Sequence, residues 1–200
     1  MFTKLNLFEI EDLKQEVLHC TKCQLAKGRT NVVFGEGNIQ AKILCIGEGP
    51  GRDEDIQGRP FVGKSGQLLD KILAACGFSR QETVFIANIV KCRPPNNRAP
   101  LPEERATCIV YLHKQIELIN PVIIILLGAT ALNGLIDESL KISQIRGQWL
   151  RWNNRWVMPT FHPAALLRNP KLKVEAWEDF KMVVAKYREL VNPKHIAPHC

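Results

Sequence analysis

An uninterrupted apolar run, Val122–Leu127, is the feature of this sequence that most limits its fold. A strand without a polar residue on either face must be buried on both, which is typical of a parallel sheet. Apolar strands are also predicted at Ile43–Ile46 and Thr83–Val90, and helices at Ser65–Cys76 and Glu103–Ile119 separate the three strands. This alternation of strands and helices predicts an α/β fold with a doubly wound parallel sheet.

The rest of the chain extends the same pattern. The remaining predicted helices are Leu7–Leu18, Thr130–Ile136 and Val174–Val191. Trp149–Met158 is predicted to be a strand pair with a turn at Asn153–Asn154. Pro159–Pro163 is expected to be a loop. We expect a single domain over residues 1–191 and a loose C-terminal tail over residues 192–200.

The charge of the chain indicates what it binds. The net charge is +7 and the pI is about 9.1, so a polyanionic partner is favoured, with nucleic acid the leading candidate. A solvated basic surface without such a partner is the alternative.

The N-terminus lacks the basic start and apolar run of a secretory signal, and no apolar stretch is long enough to span a bilayer. We therefore expect a cytoplasmic protein that does not bind membranes. In a reducing compartment its seven cysteines are not expected to form disulfides, so clustered cysteines favour metal ligation.

A glycine-rich segment follows the first strand, where open α/β sheets place their ligands. Its two glycine clusters are Gly47–Gly51 and Gly58–Gly63. Glycines let backbone N–H groups approach a ligand closely. Glu48 and Glu54 add carboxylates and Phe61 adds a flat apolar face, so we interpret the segment as a binding site rather than a surface turn.

Part of this segment, Gly58–Ser65, also matches the phosphate-loop pattern of nucleotide triphosphatases. The context is against that function. Asp53–Gln57 separates the first glycine from the strand, and Pro60 has no N–H to offer a phosphate. No apolar strand ends in an acidic residue for magnesium, since Val122–Leu127 is followed by Gly128.

Four cysteines are candidate metal ligands. Cys20 and Cys23 form a C-x-x-C pair, and Cys92 and Cys108 lie at the two sides of a proline-rich loop. Four thiolates can hold zinc or a four-iron cluster, and one pair with two separate cysteines fits the cluster somewhat better. Four unrelated thiols are the alternative.

Two polar residues are placed where chemistry is common. His162 precedes Pro163, a residue suited to the first position of a helix, and the helix dipole there favours a neutral imidazole. Asn88 ends the run Val84–Asn88 of the second strand, where its amide offers both a donor and an acceptor to a base edge. A structural histidine and a turn-forming asparagine are the alternatives.

Taken together, these motifs resemble those of the family 4 uracil-DNA glycosylases, the iron–sulfur branch of the uracil glycosylase superfamily. The resemblance runs from about Leu13 to Val191. The matching segments are Gly47–Gly51, Glu54–Asp55, Gly58–Gly63, Asn88–Pro95 and His162–Arg168, with Cys20, Cys23, Cys92 and Cys108 in the positions of the cluster ligands.

The resemblance implies a three-layer α/β/α sandwich with a short central parallel sheet and a 4Fe-4S cluster of structural role. It also implies hydrolysis of the N-glycosidic bond of deoxyuridine in single- or double-stranded DNA, by a monomer. A non-enzymatic iron–sulfur DNA-binding protein of the same fold is the second hypothesis, and a redox or nucleotide-binding protein is the third.

Roles for the pocket residues follow from the same resemblance. Phe61 would stack on uracil, Asn88 would bind its polar edge, and Glu54 would stand near C5 and exclude the methyl group of thymine. His162 and loop N–H groups would stabilise charge on the departing base. Glu48 would position water or support the cationic sugar.

Two further expectations concern the loop glycines and the DNA. The backbone at Gly47 and Gly49 would contact the base, and Gly49 stands where some members carry a catalytic Asp. The target base must leave the base stack. Leu166 and Leu167 would fill the gap that it leaves, and Arg168 would hold a phosphate.

Overall fold

The computed structural model describes the backbone of residues 4–200 and the side chains of residues 7–200. The helices of this part of the chain are α1 (Lys4–Leu18), α2 (Arg52–Gln57), α3 (Lys64–Ala75), α4 (Pro102–Ile119), α5 (Ala129–Leu135), α6 (Ile142–Ile145), α7 (Pro163–Arg168) and α8 (Leu172–Leu190). The strands are β1 (Glu36–Gly37), β2 (Ile43–Gly47), β3 (Val84–Asn88), β4 (Ile123–Leu127), β5 (Leu150–Trp152) and β6 (Arg155–Thr160).

The strands form one sheet in the order β1-β3-β2-β4-β6-β5. The four inner strands are parallel, and the short edge strands β1 and β5 are antiparallel to their neighbours. Every residue of β2, β3 and β4 is buried, which agrees with their apolar sequences. The predicted parallel sheet is confirmed.

Helices cover both faces of the sheet. Successive side chains of a strand point to opposite faces, so Leu44 and Ile46 belong to one core while Ile43 and Cys45 belong to the other. The first core includes residues of α1, α4 and α5, and the second includes residues of α3 and α8. The molecule is thus the three-layer α/β/α sandwich that was predicted.

The predicted loop at Pro159–Pro163 is partly wrong, because β6 continues to Thr160. Pro159 pairs with Leu126 of β4, and Thr160 pairs with Leu127. Pro159 is tolerated in an inner strand because β5 pairs with β6 only as far as Val157. The missing N–H of Pro159 therefore faces the β5 side at a point where no strand hydrogen bonds are formed. The C=O of Pro159 on that side accepts a hydrogen bond from the N–H of Gly147.

Helix α2 was not predicted, because it lies inside the glycine-rich segment and has no apolar stripe. It is defined by its caps. Glu54 accepts a hydrogen bond from the N–H of Gly51 at the helix start, and Gly58 ends the helix with a φ of +67°. Such a helix depends on capping rather than on hydrophobic periodicity.

The expected loose tail is wrong in part, because two residues of the segment 192–200 pack against the domain while the others are exposed. The ring of His195 stacks on Phe78 with centroids 4.6 Å apart, and its Nε2 lies 2.8 Å from the carbonyl oxygen of Cys76. Ala197 is buried in the core beside α8. An aromatic contact and a buried alanine were not visible in a segment without periodicity.

The carboxyl ends of the four parallel strands meet at one edge of the sheet. A cavity of about 550 Å³ opens there, lined by residues that follow or end each of these strands, among them Glu48, Asn88, Gly128 and His162. In the described part of the chain, no helix has the length and apolarity needed to cross a membrane.

Candidate active site

Phe61 forms one wall of the cavity. Its ring is buried, and its backbone adopts a φ of +54°, a conformation that is costly for a bulky residue. Arg80, itself buried, stabilises this conformation by donating hydrogen bonds to the carbonyl oxygens of Pro60 at 2.6 Å and of Phe61 at 2.7 Å. A Cβ on Gly66 would lie 1.8 Å from the Phe61 carbonyl oxygen, so only glycine permits this approach.

Glu54 lines the cavity, but its carboxylate is engaged with the loop itself. One oxygen accepts hydrogen bonds from the N–H groups of Val62 and Gly63, both at 2.9 Å, and the other accepts one from Gly51 at 3.1 Å. Glu54 therefore fixes the loop that presents Phe61, a role that the sequence did not indicate. Its expected position near C5 of a base stays a prediction.

Asn88 is the polar group that faces Phe61 from the end of β3. Its side chain is 2% exposed, and its Oδ1 atom is buried without a hydrogen-bond partner. A Cβ on Gly47 would lie 2.5 Å from this oxygen and 2.6 Å from Cζ of Phe61, so a glycine is required between them. A buried, unpaired acceptor that lines a cavity is suited to a ligand that brings a donor.

His162 is the N-cap of α7, as predicted. Its Nδ1 accepts a hydrogen bond from the N–H of Ala164 at 3.1 Å, so the proton of the neutral ring resides on Nε2. Burial, with the positive charge of Arg168 as a second cause, lowers the pKa of His162 to about 4. The neutral ring lies 5.5 Å from the Phe61 ring, centroid to centroid, and offers one donor to the cavity.

Glu48 has a partner that sequence reasoning missed. The hydroxyl of Thr130, in the first turn of α5, donates a hydrogen bond to Oε2 of Glu48. Both residues line the cavity, and Glu48 is partly exposed. The threonine follows an apolar strand without any motif, so no sequence signal identified it. It fixes one carboxylate oxygen and thereby orients the other.

Gly49 follows Glu48 in the cavity wall, where it packs tightly. A Cβ at this position would lie 2.7 Å from Cγ2 of the buried Val90. Any larger residue would displace that valine. The backbone of Gly49 is accordingly exposed to the cavity with no side chain in between.

The two leucines of helix α7, which the sequence could not distinguish, differ in burial. Leu166 is 1% exposed and packs inside the protein, whereas Leu167 is 43% exposed. The prediction that both enter DNA is therefore wrong for Leu166, because its position on the helix faces the domain. Arg168 is exposed and lines the mouth of the same cavity.

Arg98 is another cavity residue that the sequence analysis did not identify. Its guanidinium donates two hydrogen bonds to the buried carboxylate of Glu104, at 2.7 and 2.8 Å. This bidentate pair joins the proline-rich loop to the start of α4. A basic residue inside a proline-rich loop is a weak signal on its own.

The four candidate ligands Cys20, Cys23, Cys92 and Cys108 line one internal cavity on the α1 and α4 side of the sheet. They are unpaired thiols, and Cys92 and Cys108 are buried. Burial raises the pKa of the Cys108 thiol to about 11, so a thiolate at this place requires a nearby cation.

Two observations indicate what these cysteines suit. Arg29 donates to Sγ of Cys92 at 3.2 Å and the N–H of Lys91 donates to Sγ of Cys108 at 3.3 Å, as expected around anionic sulfur. Among the described residues, no group of three or more His, Cys, Asp or Glu side chains is arranged to hold a metal ion. The donor set of four thiols is nevertheless of the kind that ligates either zinc or an iron–sulfur cluster.

Comparison with known proteins adds a family to this geometry. Residues 34–181 match the family model described as the uracil DNA glycosylase superfamily. The chain belongs to the uracil-DNA glycosylase superfamily. The glycosylase match contains Cys92, Cys108 and all the cavity residues described above, whereas Cys20 and Cys23 precede it.

Individual glycosylases of the superfamily are similar over most of their length. The chain is 51% identical to the type-4 uracil-DNA glycosylase of Thermotoga maritima over 171 residues, which are 84% of this chain and 88% of that protein. It is 47% identical to the type-4 enzyme of Saccharolobus solfataricus over 193 residues, 92% of this chain and 87% of the relative. It is 44% identical to the type-4 uracil-DNA glycosylase of Archaeoglobus fulgidus over 182 residues, which are 87% of this chain and 91% of that protein.

Proposed function

We propose that this protein is a monofunctional uracil-DNA glycosylase of the type-4 branch, which releases uracil from DNA for base excision repair. The observation that carries the proposal is the convergence of three groups on one cavity: the Phe61 ring, the unpaired Oδ1 of Asn88 and Nε2 of His162. Membership of the glycosylase superfamily supports the same function.

Recognition of uracil follows from complementary hydrogen bonding. Oδ1 of Asn88 would accept the N3–H of uracil, and Nδ2 would donate to O4. Cytosine has an acceptor and a donor in the opposite places, so it would leave the buried amide unpaired. Phe61 would stack on the flat ring, and the nearby Glu54 and loop backbone would exclude the C5 methyl of thymine.

The chemical step is rupture of the bond between C1′ and N1. The electron pair of this bond leaves with the base, and negative charge develops on uracil. Neutral His162 would donate its Nε2–H to a uracil oxygen and stabilise that charge without transferring a full proton.

Attack of water on C1′ completes hydrolysis: the water oxygen bonds to C1′, the proton that it loses neutralises the uracil anion, and an abasic site remains. Glu48, oriented by Thr130, would position this water or support the positive charge on the sugar. Gly49 carries no carboxylate, so no base can act from that position. The backbone of Gly47 and Gly49 would contact the base and sugar.

The DNA would meet the mouth of the cavity at α7. The target nucleotide must leave the stack, and the exposed Leu167 would fill the space that it vacates. Arg168 would hold a phosphate. Both features suit double-stranded substrates and do not exclude single strands.

A 4Fe-4S cluster would be held by Cys20, Cys23, Cys92 and Cys108. The cluster supplies stability when bound, because its four ligands join the segment after α1 to α4 and to the loop after β3. Glycosidic hydrolysis transfers no electron, so the reacting groups are those of the cavity at the sheet edge.

The decisive experiment is incubation with an oligonucleotide that contains one deoxyuridine, followed by alkaline cleavage of the abasic site. Matched oligonucleotides with thymine or cytosine at that place, and the variant Asn88→Ala, are the controls. We expect cleavage of the uracil strand only, with a loss of about a hundredfold or more for Asn88→Ala. DNA binding without uracil release would instead favour a non-enzymatic iron–sulfur protein of the same fold.

A further inference from the structure

Lys91 is a buried lysine with an unusual set of contacts. It is 1% exposed, and its Nζ donates hydrogen bonds to the backbone oxygen of Asn88 at 2.9 Å and to Oε1 of Gln115 at 2.6 Å. Nε2 of Gln115 in turn donates to the carbonyl oxygen of Phe34 at 2.9 Å. A lysine is rarely buried so completely, and the ammonium of this one is held by two acceptors.

The position of Lys91 lies between the two sites of the molecule. Lys91 lines the cysteine cavity, its backbone N–H donates to Sγ of Cys108, and the next residue is Cys92. Its ammonium contacts the residue that ends β3 at the other cavity. Lys91 thus contacts both a candidate cluster ligand, Cys108, and the backbone of Asn88, the proposed base-recognition residue.

Asn88 depends on such a contact. Its Oδ1 has no partner within the described residues, so no hydrogen bond to this oxygen orients the side chain. Its backbone lies two residues beyond the last pair between β1 and β3, Glu36 with Ile86, so the sheet no longer restrains it on that side. The ammonium of Lys91 supplies the donor that the carbonyl oxygen of Asn88 would otherwise lack at the strand end.

We propose that Lys91 is a positioning residue that holds Asn88 in the orientation needed to distinguish uracil from cytosine. The inference rests on the proposed function. Lys91 does not itself reach the base cavity, because it does not belong to the residues that line it.

The test is a double-mutant cycle on binding rather than on turnover. The variants are Lys91→Met, Asn88→Ala and the double variant, each compared with the wild type at equal iron content per chain. The probes are two oligonucleotides with 2′-fluorinated deoxyuridine or deoxycytidine, whose glycosidic bonds resist hydrolysis. The dissociation constant for the deoxycytidine probe divided by that for the deoxyuridine probe measures base discrimination.

We expect Lys91→Met to reduce this ratio by about tenfold or more, the effect of losing a hydrogen bond from a charged donor. In the Asn88→Ala background it should change the ratio by less than about twofold, because the two residues act through one contact. Arg29→Met is the matched comparison, because Arg29 donates to Cys92 but does not touch Asn88. It should affect iron retention and not the ratio.

Gln115→Met provides a second route if Lys91→Met does not fold. It removes one of the two acceptors that hold the ammonium, so the ratio should fall by a smaller factor and again only when Asn88 is present. Equal losses with and without Asn88, or an unchanged ratio in both variants, would overturn the inference. A wild type that neither cleaves nor prefers uracil would overturn the proposed function as well.

Discussion

The hydroxyl of Thr160 donates a hydrogen bond to Oδ2 of Asp179 at 2.6 Å, and both side chains are fully buried. This contact ties the end of β6 to α8 only two residues before His162. Nε of Arg146 donates to the same carboxylate oxygen at 3.0 Å. The position of the proposed catalytic histidine thus depends on a buried carboxylate that lies outside the cavity.

Replacement of Asp179 should therefore affect both stability and catalysis. We expect Asp179→Asn to lower the free energy of unfolding by roughly 3 kcal/mol, because Arg146 loses its buried charged partner. Thr160→Val leaves the ion pair with Arg146 in place and should cost about 1 kcal/mol. Urea denaturation measures the loss of stability in each variant, and single-turnover cleavage measures the effect on catalysis. Wild-type stability in Asp179→Asn would contradict the assigned role.

The low pKa of His162 predicts a pH dependence of stability. The folded-state pKa is about 4, below the roughly 6.5 expected for the unfolded chain. Between these values the unfolded chain binds a proton that the folded chain excludes, so stability falls as the pH falls from about 6.5 towards about 4. Urea denaturation of the wild type and of His162→Gln at several pH values measures this effect, which should shrink in the variant.

The same pKa predicts the behaviour of the reaction. The ring should stay neutral in the folded protein down to about pH 5, so the single-turnover rate should show no inflection from His162 near pH 6.5. His162→Ala should reduce this rate by roughly a hundred- to a thousandfold, with little change in DNA affinity. A collapse of affinity with a normal cleavage rate of bound DNA would assign His162 to binding.

Asn88→Asp tests the proposed recognition of the base. The aspartate cannot donate to O4 of uracil in its ionised form, so the preference for uracil over cytosine should weaken. The measurement is the ratio of single-turnover rates on the two oligonucleotides. An unchanged ratio would remove the Asn88 side chain from base recognition.

The two leucines of α7 should behave differently. Leu167→Ala should reduce cleavage of double-stranded uracil DNA by about tenfold while single-stranded cleavage stays nearly normal, because only a duplex leaves a gap to fill. Leu166→Ala is the matched control, and it should lower the free energy of unfolding by roughly 3 kcal/mol as a buried truncation. Equal effects of Leu167→Ala on both substrates would contradict the wedge.

The cysteine cavity predicts a metal content. The anaerobically purified protein should be brown and contain about four irons per chain. Cys108→Ala should lose iron and stability before it alters the chemical step, because cluster binding is coupled to folding. Iron analysis and thermal denaturation are the measurements, with Cys45→Ala as the control thiol in the other core. Zinc without iron would rule out the cluster.

The sequence predicted the sheet because its central strands are apolar on both faces, and that pattern has few other solutions. It could not predict α2, which depends on the caps at Gly51 and Gly58. It could not distinguish Leu166 from Leu167, because a six-residue helix contains too few turns to define a buried face.

The site residues that were missed share one cause. Thr130 and Arg80 act through contacts between segments distant in the sequence and belong to no local pattern. Lys91 lies within the segment Asn88–Pro95, but its contact with the distant Gln115 could not be read from that segment. Lysine and arginine are also normally exposed, so their burial is not expected from composition. The residues proposed to contact the base were easier to identify, because glycines and prolines mark the loops that carry them.

The conformation of Phe61 has one more consequence. Its left-handed backbone is locked by two hydrogen bonds from Arg80 and by the close approach of Gly66, so the ring is a stiff plate before any nucleotide arrives. A stiff plate loses little conformational entropy when a planar base lies on it. A pyrimidine whose 5,6-double bond is saturated has a puckered ring that cannot lie flat on Phe61. The restrained Phe61 ring cannot rotate to fit it. If Phe61 stacks on the base as proposed, a flat ring would be a separate requirement for binding, in addition to the pattern of donors and acceptors.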